Sequence, residues 1–178
     1  MDNTLDMYLH HSRDGLHWQR FTEHRPFVPR GAPGAYDSVD LETPNQPFEV
    51  GDELWFYYGG MRVHHDWWIY GQQQGLDVPE ASDPGLAQNG HHLCLATLRR
   101  DGYVSLDATV REGYVETKPL FSTAPHLFLN ARCGRGGYVR VEAMDIWNNV
   151  WSGFGGADAV TFTGDSVRHR GAWTGGDR

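Results

Sequence analysis

Residues 64–68 read His-His-Asp-Trp-Trp, a few positions beyond the pair Gly59-Gly60. Imidazoles and a carboxylate can ligate a metal, move a proton or hydrogen-bond a hydroxyl-rich ligand. An indole ring can pack on the apolar face of a sugar while its N–H reaches a hydroxyl. A metal centre needs three or four convergent N, O or S ligands, and His91 and His92 supply further imidazoles. Neighbouring side chains on an extended backbone point to opposite sides. His64 and His65 therefore diverge, and no metal or other cofactor is expected. By the same rule, one of Trp67 and Trp68 faces a ligand and the other anchors the loop. His64, His65 and Asp66 are left to bind ligand hydroxyls or lock the loop. Upstream, Asp37 and Glu42 add two carboxylates. Asp37 reads as a sugar-hydroxyl ligand or as the residue that caps the turn in "GAYDS".

The elements that must position these groups are strands. Helical periodicity is almost absent, and short β-branched or aromatic runs recur between Gly, Pro and Asp. "SRDGLHW" and "LRRDGYV" look like one Asp-Gly hairpin turn used twice, because both residues tolerate positive φ. Their separation exceeds a propeller blade of about 40–50 residues. A polar insertion over residues 61–91 accounts for the excess, and a loop of that length is usually functional or disordered. Without it, a four-stranded blade emerges: strands at about Leu41–Val50, Glu53–Tyr58, His92–Leu98 and Tyr103–Leu106. Leu5–Phe21 supplies two strands of a preceding blade. In such a blade, the connection holding Asp37 and leading to Glu42 lies on the same side as the insertion. All the unusual polar and aromatic residues then share the face where propeller ligands bind. After residue 108 the pattern changes to "GYVETKPL", "HLFLNARC", "GYVRVEAMD", "DAVTFTG" and "VRHRGAW", short strands of an antiparallel β-sandwich. The expected fold is thus all-β: a partial β-propeller of about one and a half blades over residues 1–108, then an incomplete sandwich over 109–178. Because a propeller closes with about four to eight blades, the sequence reads as a portion of a longer protein.

Bulk properties narrow the function. The 178 residues carry a formal charge of −8 with no cluster of Lys and Arg, which argues against nucleic acid as a partner. No apolar run approaches the roughly 18–20 residues that span a bilayer, so no membrane partner is expected. Cys94 and Cys133 are far apart and outside any CxxC pattern, so they read as thiols rather than a disulfide scaffold. Aromatics at 13% and 22 glycines suit a β-rich chain with ligand surfaces built from rings.

Four stretches in order resemble the five-bladed-propeller glycoside hydrolases of families 32 and 43, and most closely the family 32-like bacterial proteins with a trailing β-sandwich. They are Ser12-x-Asp14-Gly15-x-x-Trp18, "GDELWFYYGG", "LATLRRDGYVSLDA" and "TKPL". The first has one residue fewer between Asp and Gly than the sialidase Asp box, a departure from that family. The resemblance implies a carbohydrate partner and retaining hydrolysis of a glycoside by the complete protein. It also implies a general acid in a Glu-x-Pro motif, matched here by Glu42 in "LETPNQPFEV". The family's other catalytic carboxylates belong to blades absent from this chain, so the 178 residues alone are expected to be inactive. Two alternatives stay open: a non-catalytic carbohydrate-binding module, and a metal-binding or interaction domain built on the His64-His65-Asp66 loop.

Overall fold

Aromatic and β-branched residues favour a pleated, half-buried surface, and among the described residues of the computed structural model they form ten short strands. The structure describes residues 4–22, 24–43, 46–65, 71, 73–75, 85, 89–123 and 126–175. Asp66, Trp67 and Trp68 lie outside them. Among the described residues the strands make four small antiparallel sheets, none closed, so the chain is all-β. It divides into two units, Met1–Leu98 and Arg99–Arg178.

The first unit opens with β1 (His10–His11) and β2 (Gln19–Arg20), paired as a hairpin. The Ser12–Trp18 motif is its turn. The Asp14 carboxylate accepts the backbone N–H groups of His17 and Leu16 at 2.8 and 2.9 Å and faces His17 Nδ1 at 2.6 Å. The His17 contacts, backbone first, hold that carboxyl well below the usual range. Gly15 takes φ +76°, and Trp18 Nε1 donates to its carbonyl at 3.2 Å. The motif is therefore a self-contained, exposed turn.

The main sheet follows: β3 (Asp40–Glu42), β4 (Phe48–Val50), β5 (Glu53–Met61) and β6 (His91–Arg99). β4 turns into β5 through Gly51-Asp52, with Val50 opposite Glu53 and Gly51 at φ +61°. β3 pairs with the far end of β5, Asp40 opposite Met61 and Glu42 opposite Gly59. The expected single strand over Leu41–Val50 is thus interrupted: Glu42 lies opposite Gly59 but Phe48 opposite Trp55, a register shift of two residues. Pro47, immediately before β4, cannot donate to the ladder, which fits the lapse in pairing ahead of it. β6 pairs with β5. Alternation sends Leu41, Tyr58 and Cys94 to one side, where they form a buried cluster with Met7, flanked by Phe27, Val28 and Ala96. The segment before β1 closes the sheet next to β3. Leu5 forms a parallel bridge with Asp40 and Met7 an antiparallel one with Val28.

The fourth strand expected at Tyr103–Leu106 does not form. After β6 the chain makes the anticipated turn, with Asp101 at φ +54° and the Gly102 N–H donating to the Arg99 carbonyl at 2.8 Å. It then runs without strand through residue 123. "GYVETKPL" carries no strand either. Val110, Tyr114 and Phe121 are almost wholly exposed, so alternation there has no packing partner to act through. Four of the later stretches do form strands: β7 (Phe128–Arg132), β8 (Val139–Val141), β9 (Val160–Phe162) and β10 (Asp165–Arg170). β7 pairs with β10 and β8 with β9. Within this unit Arg99 ties to β7 and β10, its Nε donating to Asn130 Oδ1 at 2.7 Å and its Nη1 pairing with Asp165 Oδ1 at 2.5 Å.

Candidate functional site

Two adjacent glycines of β5 define the geometry. A Cβ on Gly59 would sit 3.5 Å from Glu42 Cβ, while a Cβ on Gly60 would sit 2.7 Å from both Asp37 Cβ and Cys94 Sγ. Successive Cβ directions alternate across a strand. Glu42 and Asp37, five residues apart in sequence, therefore lie on opposite faces of the sheet. They are not brought together.

Asp37 is buried, and its Oδ2 accepts the Tyr58 hydroxyl at 2.8 Å. Burial raises the Tyr58 hydroxyl far above its ordinary range, and Asp37 adds to the shift. Burial likewise raises the Cys94 thiol, with Asp37 second. The Gly31 N–H donates to the Asp37 carbonyl at 3.2 Å. A Cβ on Gly31 would fall against Asp37 Oδ1, so both glycines make room for this side chain. Asp37 is thus a buried acceptor with its carboxylate turned to Tyr58.

Glu42, at the end of β3, is exposed, and its Oε1 lies 3.7 Å from His65 Nε2. The two stand about half exposed at one end of the sheet. Beside them is an open cleft of about 300 Å³, floored by Gly59, Gly60 and Met61 and walled by Glu42, His91 and Leu93. His92 also reaches this cleft. Its ring meets Tyr36 edge to face at 5.9 Å, and its buried Nε2 has no hydrogen-bond partner among the described residues. His64 is half-buried and lines a second cleft with Arg30, Ser38 and Arg62. His64 thus lines one cleft while His65 turns to Glu42, which walls the other, in keeping with the divergence of adjacent side chains.

Sequence reasoning missed Asp40. It is fully buried at the start of β3. One carboxylate oxygen accepts the Leu5 N–H at 2.8 Å, and the other has no hydrogen-bond partner among the described residues. Burial pushes its carboxyl above the usual range, opposed by the Leu5 N–H, the nearby charge of His64, and the backbone and charge of His65. The available signal was the spacing Asp40-x-Glu42, which puts both carboxylates on one face of a strand. Among the described residues, no group of three or more His, Cys, Asp or Glu is arranged to hold a metal ion. No helix among them is long and apolar enough to cross a membrane.

Chemically, the Glu42–His65 end of the sheet offers an acceptor, an imidazole and a shallow floor of backbone with little side-chain bulk. That combination suits hydrogen bonding to a polar ligand lying across the glycines. No family model, curated protein or solved structure matches the chain.

Proposed function

We propose that this chain is a carbohydrate-binding part of a propeller-type glycoside hydrolase, with the cleft beside Glu42 as its sugar site. The observation that carries the reading is that Glu42, which walls an open cleft floored by Gly59-Gly60, lies 3.7 Å from the His65 imidazole. A carboxylate and an imidazole at this distance can share a ligand hydroxyl, one accepting and the other donating. The glycine floor lets a flat ring approach the backbone closely. One of Trp67 and Trp68, two and three residues beyond His65 in sequence, supplies the stacking surface in this proposal.

The same reading takes β3 to β6 as three strands of one blade, β1 and β2 as part of the blade before it, and the second unit as a partial sandwich. The order of the hairpins and the two Asp-Gly turns supports it. Glu42 is the candidate general acid. Hydrolysis also needs a second carboxyl group across the scissile bond, about 5–9.5 Å away. Glu42 is the sole carboxylate lining the cleft among the described residues, since Asp37 is on the opposite face and Asp40 is fully buried. These 178 residues are therefore expected to bind glycans without cleaving them.

Titration against a glycan panel, with an assay for released sugar, tests both parts. Binding weakened at least tenfold by Glu42→Gln, with no cleavage by the parent, is the expected result. A parent that binds no glycan overturns the carbohydrate reading, and cleavage by the parent overturns the assignment of a binding role alone.

A further inference from the structure

The second cleft has its own chemistry. It encloses about 420 Å³, and its polar lining comes from Thr4, Arg30, Ser38, Arg62 and His64. The protein carries a formal charge of −8, yet among the described residues the charged side chains lining this space are two arginines, and no carboxylate lines it. Arg30 is held in place through its Nε, which donates to Asp6 Oδ1 at 2.7 Å. That contact leaves its two Nη nitrogens for another acceptor. Arg62 is exposed, and its backbone N–H donates to the Gly90 carbonyl at 2.9 Å, which fixes the root of the side chain. Its guanidinium has no partner among the described residues. Thr4 and Ser38 add hydroxyls from two further segments.

We infer that this cleft is an anion-binding subsite, shaped for a carboxylate or phosphate group, which on the carbohydrate reading above is carried by an acidic sugar. Guanidinium groups present planar pairs of N–H donors that match both anions, and hydroxyl donors complete such a shell. Asp6 neutralises part of the Arg30 charge, so Arg62 is the principal anchor. Asp40 stands behind His64, but burial favours its neutral form and limits its repulsion of an anion. His64 lines this cleft, and the next residue, His65, lies 3.7 Å from Glu42, which walls the first cleft. An acidic sugar could therefore be held by its charged group at Arg62 and by its hydroxyls at Glu42.

The test is an NMR titration of the 178-residue chain with glucuronate, glucose, glucose 6-phosphate and inorganic phosphate, at low and at high salt. Glucuronate or glucose 6-phosphate should bind at least tenfold more tightly than glucose, and added salt should narrow the gap. Arg62→Ala should abolish the preference, and Arg62→Lys should restore part of it. Which of the two charged sugars binds more tightly separates a carboxylate site from a phosphate site. Equal binding of glucose and both charged sugars overturns the subsite and leaves the carbohydrate reading standing. A preference that survives Arg62→Ala also overturns it. Inorganic phosphate binding that Arg62→Ala removes, with no sugar bound, upholds the anion subsite and removes the carbohydrate reading.

Discussion

The two faces of β5 meet different surroundings. On the Gly60 face, Leu41, Tyr58 and Cys94 pack with Met7, and Asp37 is buried against Tyr58. On the Gly59 face, Glu42 and His65 stand about half exposed beside an open cleft. One peptide bond separates the glycines, yet one serves the core and the other a surface. Two carboxylates that look like neighbours in sequence are sorted between these faces by the two-residue period of the strand. Proximity in sequence is thus a poor guide to a shared site on a sheet, whereas parity is a good one.

The sharpest way to break this contrast is to add one methyl group to each face. Gly60→Ala should destabilise the chain by about 2–3 kcal/mol, because its Cβ would overlap Asp37 and Cys94 in a packed interior. Gly59→Ala meets only ordinary contacts and should change stability by less than about 0.5 kcal/mol. Urea denaturation of the two variants measures both, and equal costs would remove the distinction between the faces. Next in size is Tyr58→Phe. It leaves the buried Asp37 carboxylate without its hydroxyl donor and should cost about 1–3 kcal/mol.

A smaller effect concerns pH. Burial raises the folded-state pKa of Asp40, so the folded chain keeps a proton that the unfolded chain has already released. This group's contribution is fully present below the ordinary carboxyl value and declines as pH rises through the raised value. Asp40→Asn cannot titrate, yet its side-chain oxygen still accepts the Leu5 N–H. The variant should therefore gain on the parent as pH rises above the ordinary carboxyl range in denaturation measurements. Parallel profiles would show that Asp40 does not feel its burial. Smallest of all, Glu42→Gln should leave stability within about 0.5 kcal/mol, since an exposed ion pair at 3.7 Å contributes little. A large loss would move Glu42 from the ligand surface into the structural framework.

The strands around β5 were legible in the sequence because their signals are local. Gly51-Asp52 marks the hairpin, the aromatic run from Leu54 to Tyr58 marks its second arm, and alternation marks β6. The Ser12–Trp18 turn was legible for the same reason, since every partner of Asp14 lies within three residues. Strand pattern failed at Tyr103–Leu106 and in "GYVETKPL", where the residues alternate but no neighbouring strand pairs with them. The site was harder. Glu42 and His65 were each identified, but their pairing depends on the path from Met61 to His65. Asp40 escaped notice because its burial is made by Leu5, 35 residues earlier. Asp37 was assigned to a ligand surface because nothing in "GAYDS" reveals that Gly31 and Gly60 open a hole for it.

The bridge between Leu5 and Asp40 has a consequence beyond holding the chain. β3 has β5 on one side, and its other side carries backbone donors and acceptors that a strand from another molecule could take up. Leu5 occupies that position: its N–H goes to Asp40 and its carbonyl accepts the Leu41 N–H at 3.1 Å. One residue thereby shields the border of the sheet from intermolecular pairing. Trimming the chain past Leu5 would convert a satisfied border into a template for polymerisation, with the loss appearing first as insoluble protein rather than as a missing ligand.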